Sequence, residues 1–175
     1  MRPEDLVDLE QIRQLKARYV LSMDQKRWSD WARVFCEDVR IDTTQDASPL
    51  LHGRQAFLDF LPPILEGVQT VHHVHSPILE RTGTDTARGV WAMEDNLWFP
   101  EGSGRRHLWG TGWYFERYRR DPDGEWRIAE LVLRRIRVEV DGVEIPLPPA
   151  ELPELSQDPS SSLREAQSSA KGPPQ

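Results

Sequence analysis

The chain has 175 residues, a length that suits one domain with a real hydrophobic core. Its formal net charge of -7 argues against a nucleic-acid-binding domain, which needs a basic face, and its mean hydropathy of -0.63 argues against a membrane protein. The N-terminal MRPEDLVDLE lacks the basic flank of a signal peptide and Cys36 is the single cysteine, so we expect a cytoplasmic protein without disulfides.

The first third of the chain predicts helices. From Pro3 to Met23, apolar residues recur at steps of three and four, the pattern of one buried helix face. A second, short helix is expected at Trp28–Phe35 and a strand at Val39–Thr44. A third helix is expected at His52–Glu66, which the pair Pro62 and Pro63 kinks or ends.

After Gly67 the pattern becomes that of β-strands. Two pairs of long strands are expected, each joined by a turn rich in Gly, Asp, Pro or Thr: Thr70–Arg81 with Thr86–Phe99, and Arg105–Arg119 with Glu125–Val140. Helices followed by antiparallel strands predict an α+β fold with the helices on one face of the sheet.

A basic run near the end of the last strand needs an interpretation. Arg134, Arg135 and Arg137 alternate with Ile136 and Val138. The run could form a local basic patch, but this alternation is typical of the solvated face of a strand, which is the interpretation we favour.

The composition changes again at Pro146. Half of the 14 prolines fall in the last 30 residues, beside serine-rich stretches. Such a segment buries too little apolar surface to fold. The sequence therefore predicts one domain over residues 1–145 and a mostly disordered tail over residues 146–175, with packing of the proximal IPLPPAELPEL left open.

Three histidines in the stretch TVHHVHSPILE, residues 70–80, are the first candidates for chemistry. His73 and His75 share a strand face. With Gly67 and Glu80 they follow the spacing G-x5-H-x-H-x4-E, which resembles the first motif of cupins, and His107 is a further possible ligand. Such a set would suit iron, manganese or zinc, and a metal-dependent cupin-like enzyme is one alternative function.

A second resemblance covers more of the chain. QIRQLKARYVLSMDQKRWSDWARVFCEDVRID contains a helix ending in Asp24, a helix with tryptophans and a strand, and GEWRI begins the last long strand. Together with the histidine strand, residues 5–140 resemble the nuclear transport factor 2-like superfamily, in its SnoaL-like branch of scytalone dehydratase and bile acid dehydratase. The resemblance implies a cone-shaped α+β roll, in which N-terminal helices pack against a strongly curved, mostly antiparallel sheet around an apolar cavity.

The resemblance also implies catalytic residues. In dehydratases of this branch, an aspartate at the end of the first helix and a histidine on the sheet act as a general acid–base pair. Asp24 matches the helix position, and His72 matches the sheet position through its spacing to Pro77. Tyr19 and Asp95 fall where bile acid dehydratases place a tyrosine and a second acid.

The strand period leaves one question open. His72 lies on the opposite strand face from His73 and His75, so only one set can face the cavity unless a bulge intervenes. Scytalone itself is not expected as the substrate, because Met23 and Thr43 stand where scytalone dehydratase has two tyrosines.

The pocket is expected to be apolar, and Met23, Trp91, Leu97 and Tyr114 are the candidate substrate-binding residues. Gly110 and Gly112 flank Tyr114 and would permit a bend or bulge in a curved sheet.

The expected function is that of a cofactor-independent lyase (a dehydratase) or isomerase, with no metal. It would act through Asp24 and His72 on a small hydrophobic molecule, polycyclic or terpenoid. Epoxide opening normally needs an Asp–Arg–Asp arrangement, for which the sequence shows no convincing spacing. The alternative is a non-catalytic module that binds a hydrophobic ligand. Members of the branch often form dimers or trimers through the sheet, so a homo-oligomer is expected.

Overall fold

A computed structural model of the chain describes residues 3–153. The helices are α1 (Pro3–Asp24), α2 (Trp28–Ala32) and α3 (Arg54–Ile64). The strands are β1 (Phe35–Asp42), β2 (Leu51–His52), β3 (Gln69–Arg81), β4 (Thr86–Trp98), β5 (His107–Arg120), β6 (Trp126–Val140) and β7 (Val143–Glu144). A 3-10 turn, Thr44–Asp46, connects β1 to β2. Within residues 3–153, no helix is long and apolar enough to span a bilayer.

The strands form one mixed sheet in the order β2-β1-β6-β5-β4-β3, with β7 paired to β6. All the pairings are antiparallel except that of β1 with β6. Register breaks interrupt β3 after His75 and the β5–β6 pair at Gly112, and such bulges increase the bend and twist of a sheet. The sheet is strongly curved around the helices and does not close, so the predicted α+β cone is confirmed.

Helix α1 supplies the central face of the core. Leu9, Ile12, Leu15, Tyr19 and Met23 are all at most 4% exposed, as their helical spacing predicts. Burying such side chains contributes about 1.5 to 3 kcal/mol each, which makes this face the main anchor of the helix to the sheet.

The second helix is shorter than predicted. It ends at Ala32, whereas Phe35 begins β1, where it pairs with Ile128 and is fully buried. The ring of Phe35 packs edge-on against Trp31 with 4.9 Å between centroids, and Trp31 also contacts Phe57 of α3. Because tertiary burial of Phe35 outweighs the local helical pattern, the boundary prediction was wrong by three residues.

The segment after β7 has no regular structure but packs on the domain. Gln45 Nε2 donates to the carbonyl of Pro148 at 3.2 Å, and Arg134 Nε donates to the carbonyl of Glu151 at 3.0 Å. Residues 154–175, which hold most of the predicted tail, lie outside the described residues. The domain boundary at residue 145 stays a prediction.

A partly buried ion pair at the end of β1 makes the free energy of unfolding depend on pH. Arg134 Nη2 lies 3.0 Å from Asp42 Oδ2, and Thr44 Oγ1 donates to Asp42 Oδ1 at 2.8 Å. The hydrogen bond from Arg134 is the main reason that the pKa of Asp42 falls from 3.8 to about 2. A depressed carboxyl pKa stabilises the fold above the unfolded-state pKa, and this contribution is lost as pH falls through the folded-state pKa.

We therefore expect Asp42→Asn to lower the free energy of unfolding by about 1 to 2 kcal/mol at neutral pH. The difference from wild type should shrink by roughly half near pH 3, where the unfolded carboxyl is already protonated. Urea unfolding of wild type and Asp42→Asn at neutral pH and near pH 3 measures this difference in stability. A difference that does not change with pH would contradict the assignment.

Candidate active site

The open end of the cone holds a cavity of about 580 Å³. Its walls come from the C-terminal part of α1, from α3, from the inner face of β3–β6 and from the segment after β7. Most of the lining side chains are apolar, among them Met23, Leu61, Leu97 and Leu133. Polar side chains, among them His72, Asp95 and Arg135, interrupt this apolar surface, and such a mixture is typical of small-molecule sites.

Asp24 and His72 meet at the wall of this cavity, which His72 lines. Asp24 is the last residue of α1, and His72 is the fourth residue of β3. His72 Nδ1–H donates to Asp24 Oδ1 at 2.6 Å, and the backbone N–H of His72 donates to Asp24 Oδ2 at 2.9 Å. The His72 side chain is 7% exposed. The structure therefore brings together the two residues that the sequence suggested as a pair.

The Asp24 carboxylate is held by further donors. Thr70 Oγ1 donates to Asp24 Oδ1 at 2.9 Å, and Lys26 Nζ donates to Thr70 Oγ1 at 2.7 Å. Burial alone would raise the pKa of Asp24, but the hydrogen bonds from His72 and Thr70 outweigh it and lower the pKa below its usual value. Asp24 is thus ionised at neutral pH and fixes the proton of His72 on Nδ1.

The other two histidines lie on the outer face of β3. His73 and His75 are exposed, with 6.1 Å between ring centroids, whereas His72 lines the cavity. The bulge in β3 follows His75, so it leaves the alternation of the three histidines unbroken. The question of which set faces the cavity is answered in favour of His72.

The residues of the cupin-like alternative are not brought together. Glu80 binds Arg88 at 2.6 Å, beyond the bulge, and His107 stacks on Trp98 two strands away from β3. In the part of the chain that the structure describes, no group of three His, Cys, Asp or Glu side chains is arranged to hold a metal ion. The proposed ligand set was therefore wrong.

Asp95 and Arg135 form a second polar group beside His72. Asp95 is 2% exposed, and Arg135 contacts both of its carboxylate oxygens at 2.9 and 2.8 Å. Arg135 also contacts Asp46 Oδ1 at 3.1 Å, so one guanidinium bridges two carboxylates. Asp95 Oδ2 lies 4.0 Å from His72 Nε2. An Asp–Arg–Asp arrangement is present after all, against the expectation from sequence spacing.

Arg135 was missed because a bulge breaks the strand period. Gly112 pairs with Arg135 and the preceding Thr111 pairs with Arg137, which leaves Ile136 as an extra residue, 53% exposed. Arg135 and Val138 can then both face the cavity, although unbroken alternation places them on opposite faces. The prediction that this basic run is a solvated face was wrong for Arg135, and the paired glycines of β5 were the available signal.

Gly110 leaves the space in which Asp95 and Arg135 meet. It lies on β5 opposite Asp95, and a Cβ there would be 2.6 Å from Asp95 Oδ1 and 2.6 Å from Arg135 Nη1. We expect Gly110→Ala to displace this ion pair and to lower the free energy of unfolding by about 1 to 3 kcal/mol, measured by urea denaturation. Wild-type stability in that variant would show that the pair can shift without cost.

Two tyrosines form the inner wall of the cavity. Tyr19 and Tyr114 meet edge-to-face with 6.0 Å between centroids, and Lys16 Nζ lies 4.0 Å and 3.6 Å from their ring centres. Burial raises the pKa of both phenols, so they remain protonated hydrogen-bond donors at neutral pH. Lys16 in turn binds Glu116 at 2.5 Å, with both side chains fully buried.

The remaining predicted residues divide into two groups. Met23, Leu97 and Tyr114 line the cavity. Trp91 is 4% exposed but lies outside the lining. Its Nε1 donates at 2.7 Å to Tyr118, which also bonds to Glu116. Trp91 belongs to the polar network behind the tyrosines and not to the pocket surface.

Comparison with known proteins identifies the family. The model of the SnoaL-like domain matches residues 4–132. A candidate scytalone dehydratase from Novosphingobium aromaticivorans is 21% identical, with a TM-score of 0.73 over 86% of this chain and 100% of its own. Protein Rv3472 from Mycobacterium tuberculosis is 27% identical, with a TM-score of 0.66 over 78% of each chain.

A third solved structure extends the range of chemistry among the neighbours. The hexachlorocyclohexane dehydrochlorinase LinA-type3 from Novosphingobium barchaimii is 18% identical, with a TM-score of 0.68 over 83% of this chain and 97% of its own. At these identities the structural likeness shows a common fold. The family match spans well over half of the sequence, so the chain belongs to the SnoaL-like family and has its nuclear transport factor 2-like fold.

Proposed function

We propose that the protein is a cofactor-independent lyase or isomerase that uses Asp24 and His72 as a general acid–base pair. One observation carries the proposal: Nδ1 of His72 is bonded to an ionised carboxylate, while its other face is turned to the cavity. When Nδ1 donates to Asp24, the lone pair of Nε2 is the one left to accept a proton from a ligand.

In a dehydration, Nε2 removes a proton from a carbon that a neighbouring carbonyl makes acidic. The C–H electron pair forms the new double bond, and the C–O bond to the hydroxyl group breaks. Nε2–H then gives its proton to the departing oxygen, so water leaves and His72 is neutral again. In an isomerisation, the same proton returns to a different carbon.

The rest of the cavity supports this chemistry. The imidazolium that forms would lie between Asp24 and Asp95, whose nearest oxygens are 2.6 Å from Nδ1 and 4.0 Å from Nε2. The protonated phenols of Tyr19 and Tyr114 can donate to a carbonyl oxygen as negative charge develops on it. Apolar walls lower the local polarity, which strengthens each of these interactions.

The substrate that fits these features is a small hydrophobic hydroxy ketone or ketone, polycyclic or terpenoid. A cavity of about 580 Å³ is in the usual range for such ligands. The names of two structural neighbours, a candidate dehydratase and a dehydrochlorinase, both describe eliminations. These names support the proposal without naming this substrate.

The test is a panel of hydrophobic hydroxy ketones, incubated with the protein and followed by mass spectrometry for loss of one water. Conversion of at least one compound supports a lyase. Tight binding of the panel without conversion would favour the alternative, a non-catalytic module that binds hydrophobic ligands.

A second candidate reaction is epoxide hydrolysis, which the contacts of Arg135 with Asp46 and Asp95 favour. Asp46 would take a proton from a water molecule as that water attacks a ring carbon and the C–O bond breaks, and the alkoxide that forms would then receive this proton back from Asp46. Asp46→Asn should abolish epoxide opening and spare dehydration, whereas Asp24→Asn should have the opposite effect. Diol formation from hydrophobic epoxides distinguishes the two.

We also propose a cytoplasmic homo-oligomer, a dimer or trimer, that assembles through the outer face of the sheet. Ile78, Trp98 and Ile136 are 65%, 41% and 53% exposed, although large apolar side chains favour burial. Light scattering of the purified protein measures its molecular mass in solution, and Ile136→Lys should shift this mass toward that of the monomer. A monomeric wild type would contradict this assembly.

A further inference from the structure

Arg105 differs from the other charged residues that line the cavity. Asp46 and Asp95 share the guanidinium of Arg135, and His72 is bonded to Asp24. Arg105 lines the same cavity but makes no ion pair or hydrogen bond to a carboxylate within residues 3–153. Its positive charge is therefore available to a ligand.

Arg105 is held over the cavity by an aromatic ring. The carbon of its guanidinium lies 4.1 Å from the centroid of Phe99, which also lines the cavity. The backbone N–H of Phe99 donates to the carbonyl of Arg106 at 2.9 Å and closes the β4–β5 loop beneath this contact. Stacking on an aromatic face orients a guanidinium and leaves its N–H edge free to donate.

Arg105 lies away from His72, along the strand that carries Asp95. Asp95 is the cross-strand partner of His72, and Phe99 follows it by four residues along the chain. At roughly 3.3 Å per residue, up to about 13 Å separate the Cα atoms of Asp95 and Phe99 along the chain. Apolar side chains, among them Leu97 and Leu108, line the wall between the two points.

We infer that the cavity binds an amphipathic anion, with its apolar body in the cone and a carboxylate, sulfonate or phosphate on Arg105 at the mouth. The inference rests on the proposed function, because it names the ligand class of the same cavity. A guanidinium edge presents parallel N–H donors that match the oxygens of these groups. Since the chain carries a net charge of -7, a local cation is needed to attract an anion against the overall field.

The inference implies that the substrate carries its reacting carbon and its acid group at separate positions. The carbon that reacts would lie at His72 Nε2, and the acid group would lie at Arg105, beyond Leu97 and Phe99 on the cavity wall. Compounds of the proposed hydroxy ketone class that carry an acid group at the end remote from the reacting carbon should bind more tightly than their methyl esters.

Two fluorescent probes test the inference without turnover. 1-Anilinonaphthalene-8-sulfonate and N-phenyl-1-naphthylamine share an apolar body, and only the first carries a sulfonate. Wild-type protein should bind the anionic probe at least about threefold more tightly, because an exposed charge pair contributes up to about fivefold in affinity. Arg105→Gln should remove this preference and leave the affinity for the neutral probe within about twofold.

Two further variants control the result. Arg105→Lys keeps the point charge and should retain most of the preference for the anion. Arg106→Gln removes a neighbouring exposed arginine that does not line the cavity, and it should bind both probes as wild type does. Near-ultraviolet circular dichroism verifies that each variant is folded.

The inference is overturned if wild type binds the two probes equally, or if Arg105→Gln weakens both by the same factor. An effect of Arg106→Gln as large as that of Arg105→Gln would also overturn it, because the attraction would then come from general surface charge. Asp24→Asn should bind both probes like wild type. Failure of the probes therefore concerns the anion site, and failure of turnover concerns the acid–base pair.

Discussion

Replacement of Asp24 by asparagine is expected to lower turnover by about a hundredfold to ten-thousandfold while ligand affinity stays within about twofold. The asparagine amide keeps the size of the carboxylate but has no charge to stabilise an imidazolium. Its N–H group can also donate to Nδ1 of His72, which would place the histidine proton on Nε2. That tautomer cannot accept a proton from substrate.

Steady-state rates and probe affinities of Asp24→Asn separate these effects. Asp59→Asn makes the same change of charge on an exposed side chain of α3 that does not line the cavity, so it is a matched control. Turnover close to wild type in Asp24→Asn would rule out the pair as the acid–base group. A parallel loss of affinity would instead assign Asp24 to ligand binding or to shaping the pocket.

The second large effect is expected on stability, from Lys16→Met. Lys16 and Glu116 are fully buried and 2.5 Å apart, and Glu116 also accepts a hydrogen bond from Tyr118. Burial lowers the pKa of Lys16 although Glu116 opposes the shift, which reflects the cost of keeping this charge out of water. Removing one partner leaves Glu116 as an uncompensated buried carboxylate, so we expect a loss of about 3 to 5 kcal/mol.

Urea denaturation of single and double variants measures this effect. The double variant Lys16→Met with Glu116→Leu should recover much of the loss, because apolar replacement of both partners is often neutral. Arg18→Met changes an exposed cation on the same helix and should stay within about 0.5 kcal/mol of wild type. A loss below about 1 kcal/mol in Lys16→Met would show that water or nearby groups compensate the carboxylate.

The elements that could be predicted from sequence are those whose burial follows a regular period. Helix α1 is placed by its apolar face, and the long strands by alternation and by their turns. Asp24 and His72 could be found because they match the helix and strand positions of the resembling dehydratases, although the strand period alone left open which histidine faces the cavity. Their pairing was implied by resemblance, since periodicity alone does not bring two elements together.

The residues that could not be predicted depend on a break in the period or on tertiary contacts. Arg135 faces the cavity because Ile136 is an extra residue in the strand. Lys16 is buried beside Leu15, where a helical pattern read alone favours an exposed charge, and its partner Glu116 lies 100 positions away. Glu116 shares strand parity with Tyr114 and Tyr118, and that was the one signal that it faces inward.

The most direct test of the central claim is conversion of the hydroxy ketone panel in D2O by wild-type protein and by His72→Gln. Wild type should turn at least one compound into a product that lacks one water or carries deuterium at a newly protonated carbon. His72→Gln should form neither product while still binding the same compound. Conversion at the wild-type rate by His72→Gln, or binding without conversion by wild type, would contradict catalysis by the Asp24–His72 pair.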